Sequence, residues 1–147
     1  MRKEEVIAGY QELVKELGEP AHNVVLSAGS ASVMMGLRDE TDDLDADVLP
    51  GVFKWACTVK KVTVIVEENV NDRIKYSDKV DLHILDEDRG RVCIEGVWVY
   101  SPQELLNQKR YLMRMPNRRA EKMLQDQLEV SQLEELIRKP KFTAKAV

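Results

Sequence analysis

The stretch Ser27-Ala28-Gly29-Ser30-Ala31-Ser32-Val33-Met34-Met35-Gly36-Leu37-Arg38-Asp39-Glu40-Thr41-Asp42-Asp43-Leu44-Asp45 decides how this chain is read. It opens at the end of a short apolar strand, Asn23 to Ala28, which stops at Gly29. A glycine there lets the backbone turn closely from strand into helix. Ser30 is placed to cap a short helix through Met35, which Gly36 closes. The N–H groups at such a helix start can hold an anion such as a phosphate. Past the acidic loop, Leu44-Asp45-Ala46-Asp47-Val48-Leu49 alternates apolar with acidic residues, the period of a strand with one wet face. Residues two apart on a strand project together, so Asp43 and Asp45 can grip one divalent cation, and Asp45 and Asp47 read as a pair as well. Oxygen-only ligands suit Mg²⁺, which prefers carboxylates plus nucleotide phosphates. An EF-hand is the rival, since Asp43-x-Asp45-x-Asp47 matches its opening. Val48 in place of the turn glycine and Lys54 in place of the twelfth-position glutamate reject it.

Working outward, Val6, Ile7, Tyr10, Leu13, Val14 and Leu17 form one helical stripe ended by Gly18 and Pro20. Pro50 and Gly51 break the acidic strand, and Val52 to Cys57 reads as a short helix. Val62 to Val66 is a β-branched run, and Asn71-Asp72 reads as a turn. Arg73 to Tyr76 and Val80 to Leu85 are predicted strands. Val92 to Ile94 and Val97 to Tyr100 pair as a hairpin across Glu95-Gly96. Ser101-Pro102 starts a helix that Pro116 ends, and a last helix runs from Asn117 or Arg118 to about Arg138. Asp81, inside the apolar run Val80 to Leu85, is a poor strand former and asks for a reason. It is a candidate third carboxylate, sharing a face with His83. The expected fold is α+β: a mixed β-sheet with flanking helices and a C-terminal helical pair at 101–138. The whole of 1–147 reads as a single domain, with 139–147 as a frayed tail.

Composition narrows the function classes. The 147 residues are 44% hydrophobic and 33% charged, as in a globular domain. No apolar run approaches the ~20 residues of a membrane span, and the N-terminus lacks the apolar stretch of a signal peptide. Cys57 and Cys93 are too few for a disulfide framework or zinc site, so a reducing cytoplasm is expected. The net charge of −4 hides a division. Met1 to Ser101 carries 12 basic and 20 acidic side chains, and the remainder 10 and 6. Six carboxylates crowd Asp39 to Asp47, and six basic residues lie between Lys109 and Lys122. Each block alone reads as a solvated face. Together they can bind a phosphate ester and its metal.

The Ser27–Asp45 stretch resembles the nucleotidyltransferase superfamily that includes DNA polymerase beta and kanamycin nucleotidyltransferase. It is most similar to the small bacterial and phage members, akin to abortive-infection toxin nucleotidyltransferases. Their pattern is a hydrophobic strand, Gly-Ser, a helix, then Gly-Leu-Arg-x-x-Thr-x-Asp-h-Asp, with h apolar; Gly36-Leu37-Arg38, Thr41, Asp43 and Asp45 match it. Asp81 matches the family's third carboxylate. Ser101-Pro102-Gln103-Glu104-Leu105-Leu106-Asn107-Gln108-Lys109 resembles a further family helix start. Arg118 or Arg119, Lys122 and Asp126 resemble its last helix, with Met123 where an acid is usual. The resemblance spans about residues 24 to 130.

That resemblance implies a Mg²⁺- or Mn²⁺-dependent transfer of a nucleoside monophosphate from an NTP to a hydroxyl acceptor. The acceptor, whether protein, tRNA or small molecule, stays open. The triphosphate would lie on the Gly29-Ser30 turn, with Asp43, Asp45 and Asp81 as metal ligands and catalytic carboxylates. Lys109 and Lys122 would neutralise the leaving phosphates, although Lys122 reads equally as a surface lysine. Arg38 is expected to pair locally with Asp39 or Asp42, and Trp55 and Trp98 to anchor the core. The competing class is a non-catalytic protein on the same fold, an antitoxin, inhibitor or nucleic-acid adaptor using the basic stretch from Lys109 to Arg119 on a phosphate backbone.

Overall fold

The computed structural model describes residues 1–66 and 72–139, and the backbone of 145–146. The element order is α1 (Lys3–Leu17), β1 (Val24–Leu26), α2 (Ala28–Met34), β2 (Leu44–Val48), α3 (Pro50–Lys60), β3 (Arg73–Ser77), β4 (Val80–Ile84), β5 (Arg91–Ile94), β6 (Val97–Tyr100), α4 (Pro102–Met113), α5 (Ala120–Arg138) and β7 (Lys145–Ala146). The architecture is α+β. One mixed sheet runs in the order β3-β4-β2-β1-β6-β5-β7, with β1 antiparallel to β2 but parallel to β6, and β2 parallel to β4. Among the described residues no helix is long and apolar enough to cross a membrane.

The central strand β2 reads as its alternation demands. Leu44, Ala46 and Val48 are fully buried. A Cβ added at Gly9 of α1 would lie 3.7 Å from Leu44, so this face of β2 meets α1. Asp45 and Asp47 project from the other face. Tyr10, buried in α1, donates its hydroxyl to the carbonyls of Ala21 and Val24 at 2.8 Å each, which ties α1 to the start of β1. The hairpin β5–β6 turns on Glu95 and Gly96, both at positive φ (51° and 80°), the two-residue turn whose twist matches paired strands. The Ser101 hydroxyl caps α4 by accepting from the Glu104 N–H at 3.3 Å, and Pro102 fills its first turn.

Several boundaries differ from the sequence reading. A 3-10 turn over Ala21–Asn23 delays β1, which ends at Leu26. The following helix begins at Ala28, with Ser27 rather than Ser30 before it, so Ser30 sits inside α2. The acidic strand ends at Val48, before Pro50 and Gly51, and these two residues belong to α3, which begins at Pro50 rather than Val52; a first-turn proline loses no hydrogen bond. The Val62–Val66 run forms no strand; Ile65 alone bridges Arg73 at the sheet edge. The expected turn at Asn71 and the tail from Pro140 lie outside the described residues, apart from the short backbone pairing of β7 with β5. Trp55 is 45% exposed on α3 and anchors no core.

Candidate functional site

The polar face of the central strands carries the site. Parallel pairing of β2 with β4 places Asp45 beside Asp81 and Asp47 beside His83. Asp43 lies one residue before β2 and is half-buried. Lys75 of β3 pairs across the sheet with Asp81. Its ammonium lies 3.3 Å from the Asp81 carboxylate and 3.7 Å from that of Asp43. Arg73 approaches Asp81 at 3.9 Å. The His83 Nε2 is 3.7 Å from Asp45. Burial opposes protonation of His83, but the carboxylates of Asp45, Asp47 and Asp81 outweigh it and raise the imidazole pKa above its ordinary value.

Asp47 is different from its neighbours. It is 4% exposed, and it accepts hydrogen bonds from Ser27 at 3.0 Å and Tyr100 at 2.5 Å. Burial raises its carboxyl pKa, and the two hydroxyl donors offset this in part. Asp47 thus braces β2 against β1 and β6, leaving Asp43 and Asp45 as the more accessible pair. The six-carboxylate block divides accordingly: Asp39, Glu40 and Asp42 are solvated, and the other three point inward by degrees.

The Gly29-Ser30 turn is built for packing. A Cβ on Gly29 would lie 2.5 Å from the Thr41 hydroxyl and 2.9 Å from an Arg38 guanidinium nitrogen. The tight turn itself is made by Ala28, at φ 49°. Ser30 is fully buried; its hydroxyl donates to the Asp43 carbonyl at 3.1 Å and accepts from the Asp45 N–H at 2.9 Å. This serine positions the backbone of both carboxylates, with Thr41 also donating to the Asp43 carbonyl.

Lys109 is committed elsewhere. It is 6% exposed, with its ammonium 2.7 Å from Glu129 and 3.6 Å from Asp126 of α5. Arg38 reaches Glu129 at 2.7 Å instead of pairing with Asp39 or Asp42, and Arg118 reaches Asp126 at 2.9 Å. Buried carboxylates need such partners. Lys122 is exposed on α5.

An open cleft of about 540 Å³ adjoins the carboxylate face. Asp45, Asp47 and His83 form one wall, Ser27 and Ala28 the end of the turn, and Arg73 of β3, Arg89 of the β4–β5 loop and Arg118 of the α4–α5 loop bring three cations. The face of α4 carrying Asn107, Gln108 and Tyr111 closes the other side. Arg73, Arg89 and Tyr111 have no part in the site expected from the sequence. The signals were present: Arg73 and Lys75 two apart on a strand, and Glu104, Asn107, Gln108 and Tyr111 at helical spacing.

Among the described residues, no three His, Cys, Asp or Glu side chains are gathered tightly enough to hold a metal ion as they stand. The donors still suit a hard cation, because Asp43 and Asp81 are already drawn to a single positive charge, the Lys75 ammonium. No protein-family model, curated protein or solved structure matches this chain.

Proposed function

We propose that this chain is a nucleotidyltransferase working from the β2–β4 face. The observation that carries the reading is the register that sets Asp45 beside Asp81, with Asp43 two residues before Asp45. Asp43, Asp45 and Asp81 would hold Mg²⁺ or Mn²⁺, which when bound neutralises the triphosphate. Arg73 and Arg89, which line the cleft, serve the phosphates; we give Arg118 and Lys109 a bracing role instead, because both pair with the buried Asp126. The acceptor hydroxyl attacks the α-phosphorus as the bond to the bridging oxygen of pyrophosphate breaks. Its proton would pass to a carboxylate of the face, a role we assign to Asp81. The fold is then of the nucleotidyltransferase type, with an NTP as donor and a protein, RNA or small-molecule hydroxyl as acceptor.

The test pairs binding with transfer. Mn²⁺ with an NTP should raise the melting temperature, by linkage of ligand to the native state. Asp45→Asn and Asp81→Asn should remove that rise, and labelled NTP should leave its label on a product only with the native protein. An equal rise in both variants puts the ligand elsewhere.

A second reading has one observation in its favour. Lys75 already neutralises Asp43 and Asp81, as a site that no longer takes a metal would require. A non-catalytic binder of this kind would hold its ligand equally well in excess chelator and label nothing.

A further inference from the structure

We propose that the cleft-facing side of α4 is a nucleobase-binding wall, on which Tyr111 stacks against a base while Asn107 and Gln108 read its edge. The inference rests on the reading above that a nucleoside triphosphate occupies the cleft, and it adds where the base goes.

The two faces of α4 differ in a way that packing alone does not require. Leu105, Leu106 and Lys109 are buried, and α4 packs chiefly on α5. The stripe over the cleft runs from Glu104 through Asn107, Gln108 and Tyr111 to Leu112. One carboxylate stands at its N-terminal end; beyond it the stripe presents two amides, an aromatic ring and an aliphatic side chain. Tyr111 stays 47% exposed. A large ring left half-wet in a concave site, with polar groups one turn away, is the surface that a planar heterocycle covers. The Gln103 amide donates to the Asn107 side-chain oxygen at 3.0 Å, which leaves the Asn107 NH2 as a donor group. Gln108 supplies both a donor and an acceptor. Across the cleft stand Asp45, Asp47 and His83, with the arginines beside them. A ligand with a charged end and a planar, hydrogen-bonding end therefore matches the two walls, and about 540 Å³ lies within the range of single small-molecule sites. An inorganic phosphate chain would satisfy only one of them.

Calorimetric titration separates the two ends. The probes are ATP, GTP, CTP, UTP and inorganic triphosphate, each with Mn²⁺. The native protein should bind at least one NTP more tightly than triphosphate. Tyr111→Ala should weaken that NTP roughly tenfold or more, the scale of a lost base–aromatic stack, and leave triphosphate unchanged. Tyr111→Phe should restore the affinity, and Gln108→Ala should alter the order of preference among the four bases. Melting curves confirm that the variants fold. Equal affinity of the native protein for NTPs and triphosphate defeats the base wall and leaves the transfer site standing. Tyr111→Ala affecting both ligands alike, or neither, defeats it too. A native protein that binds neither ligand but holds RNA through Tyr111 overturns both readings and makes this wall an RNA contact.

Discussion

Replacing Lys109 by methionine separates a structural lysine from a phosphate ligand. The Lys109 ammonium lies 2.7 Å from Glu129 and 3.6 Å from Asp126, carboxylates 1% and 2% exposed. Methionine keeps the length of the stem and removes the charge. Each carboxylate retains one arginine, Arg38 on Glu129 and Arg118 on Asp126, so neither is stripped bare. Breaking a buried pair from one side costs about 3–5 kcal/mol, and the surviving arginines place this case near the lower figure. For a chain of this length that is a fall in melting temperature of roughly 10 °C. The acid limb gives an independent check. Burial works to raise the Glu129 pKa, but the Arg38 hydrogen bond and the Lys109 charge overcome it and hold the carboxyl below its ordinary value of 4.5. A carboxylate depressed on folding contributes stability above its unfolded pKa and loses it as pH falls through the folded value. With Lys109 gone the folded pKa rises toward or past the unfolded one. The deficit of the variant relative to the native protein should then shrink as pH falls through the native folded value of Glu129, below which its carboxyl is protonated in both. Adding Glu129→Gln to Lys109→Met should recover part of the loss at pH 7, since an uncompensated charge goes with it. Denaturant midpoints between pH 3 and pH 7 measure all of this. A Lys109→Met protein that melts within 2 °C of the native one (roughly 1 kcal/mol or less) while losing nucleotide affinity would refute the reasoning and return Lys109 to the cleft.

Three further outcomes are expected. Exchanging the roles of the turn residues should move stability in opposite directions: Gly29→Ala should cost about 1–3 kcal/mol, because its Cβ would meet Thr41 at 2.5 Å, and Ala28→Gly should gain about 1 kcal/mol by relieving φ 49°, both read by denaturant titration. Asp47→Asn should grow more stable relative to the native protein as pH rises above the unfolded carboxyl value of about 3.9, since burial raises the Asp47 pKa and a group raised on folding loses its contribution as pH climbs through the folded value; a difference that stays flat with pH would show that the Asp47 carboxyl is not raised on folding. Lys75→Met should tighten Mn²⁺ binding several-fold, read by paramagnetic resonance of free Mn²⁺, because the ion no longer displaces an ammonium from Asp43 and Asp81; unchanged affinity would place the metal away from both.

The parts of the fold that were legible in the sequence are those whose cause is local. The alternation of Leu44 to Val48 fixes which face is wet, Glu95-Gly96 supplies the two positive φ values of a hairpin, and Ser101-Pro102 caps and starts α4. Val62 to Val66 misled for the complementary reason. A β-branched run suits a strand only where a partner edge exists, and only Ile65 finds one. The candidate site was legible as a set of carboxylates and illegible as a set of partners. Lys109 and Glu129 are both ordinary helix residues until α4 lies on α5. Arg38 passes over its neighbours Asp39 and Asp42 for a carboxylate 91 positions away, because those two are solvated and Glu129 is not. Likewise, nothing local ties Tyr100 to Asp47, 53 positions earlier, although an aspartate at the centre of a buried strand already demands a donor.

Those long-range pairs also bear on what the C-terminal helices are for. The loop that delivers Asp43 is held from three sides: Ser30 and Thr41 bind the Asp43 carbonyl, Met1 and Thr41 exchange backbone hydrogen bonds, and Arg38 anchors to Glu129 on α5. Glu129 is in turn held by Lys109 of α4, the helix whose other face lines the cleft. One buried charge cluster thus joins the carboxylate loop to the wall that carries Tyr111. A basic block that only contacted a phosphate backbone would leave its lysine in solvent and its helix free to shift against the loop. Spending Lys109 on Glu129 instead makes the distance between the two walls of the cleft a property of the core, where a displacement costs burial of an unpaired carboxylate rather than a solvated hinge motion. In that arrangement Arg73 and Arg89 line the cleft at its rim, and on the metal reading proposed above the residue that would set how readily a cation enters is Lys75.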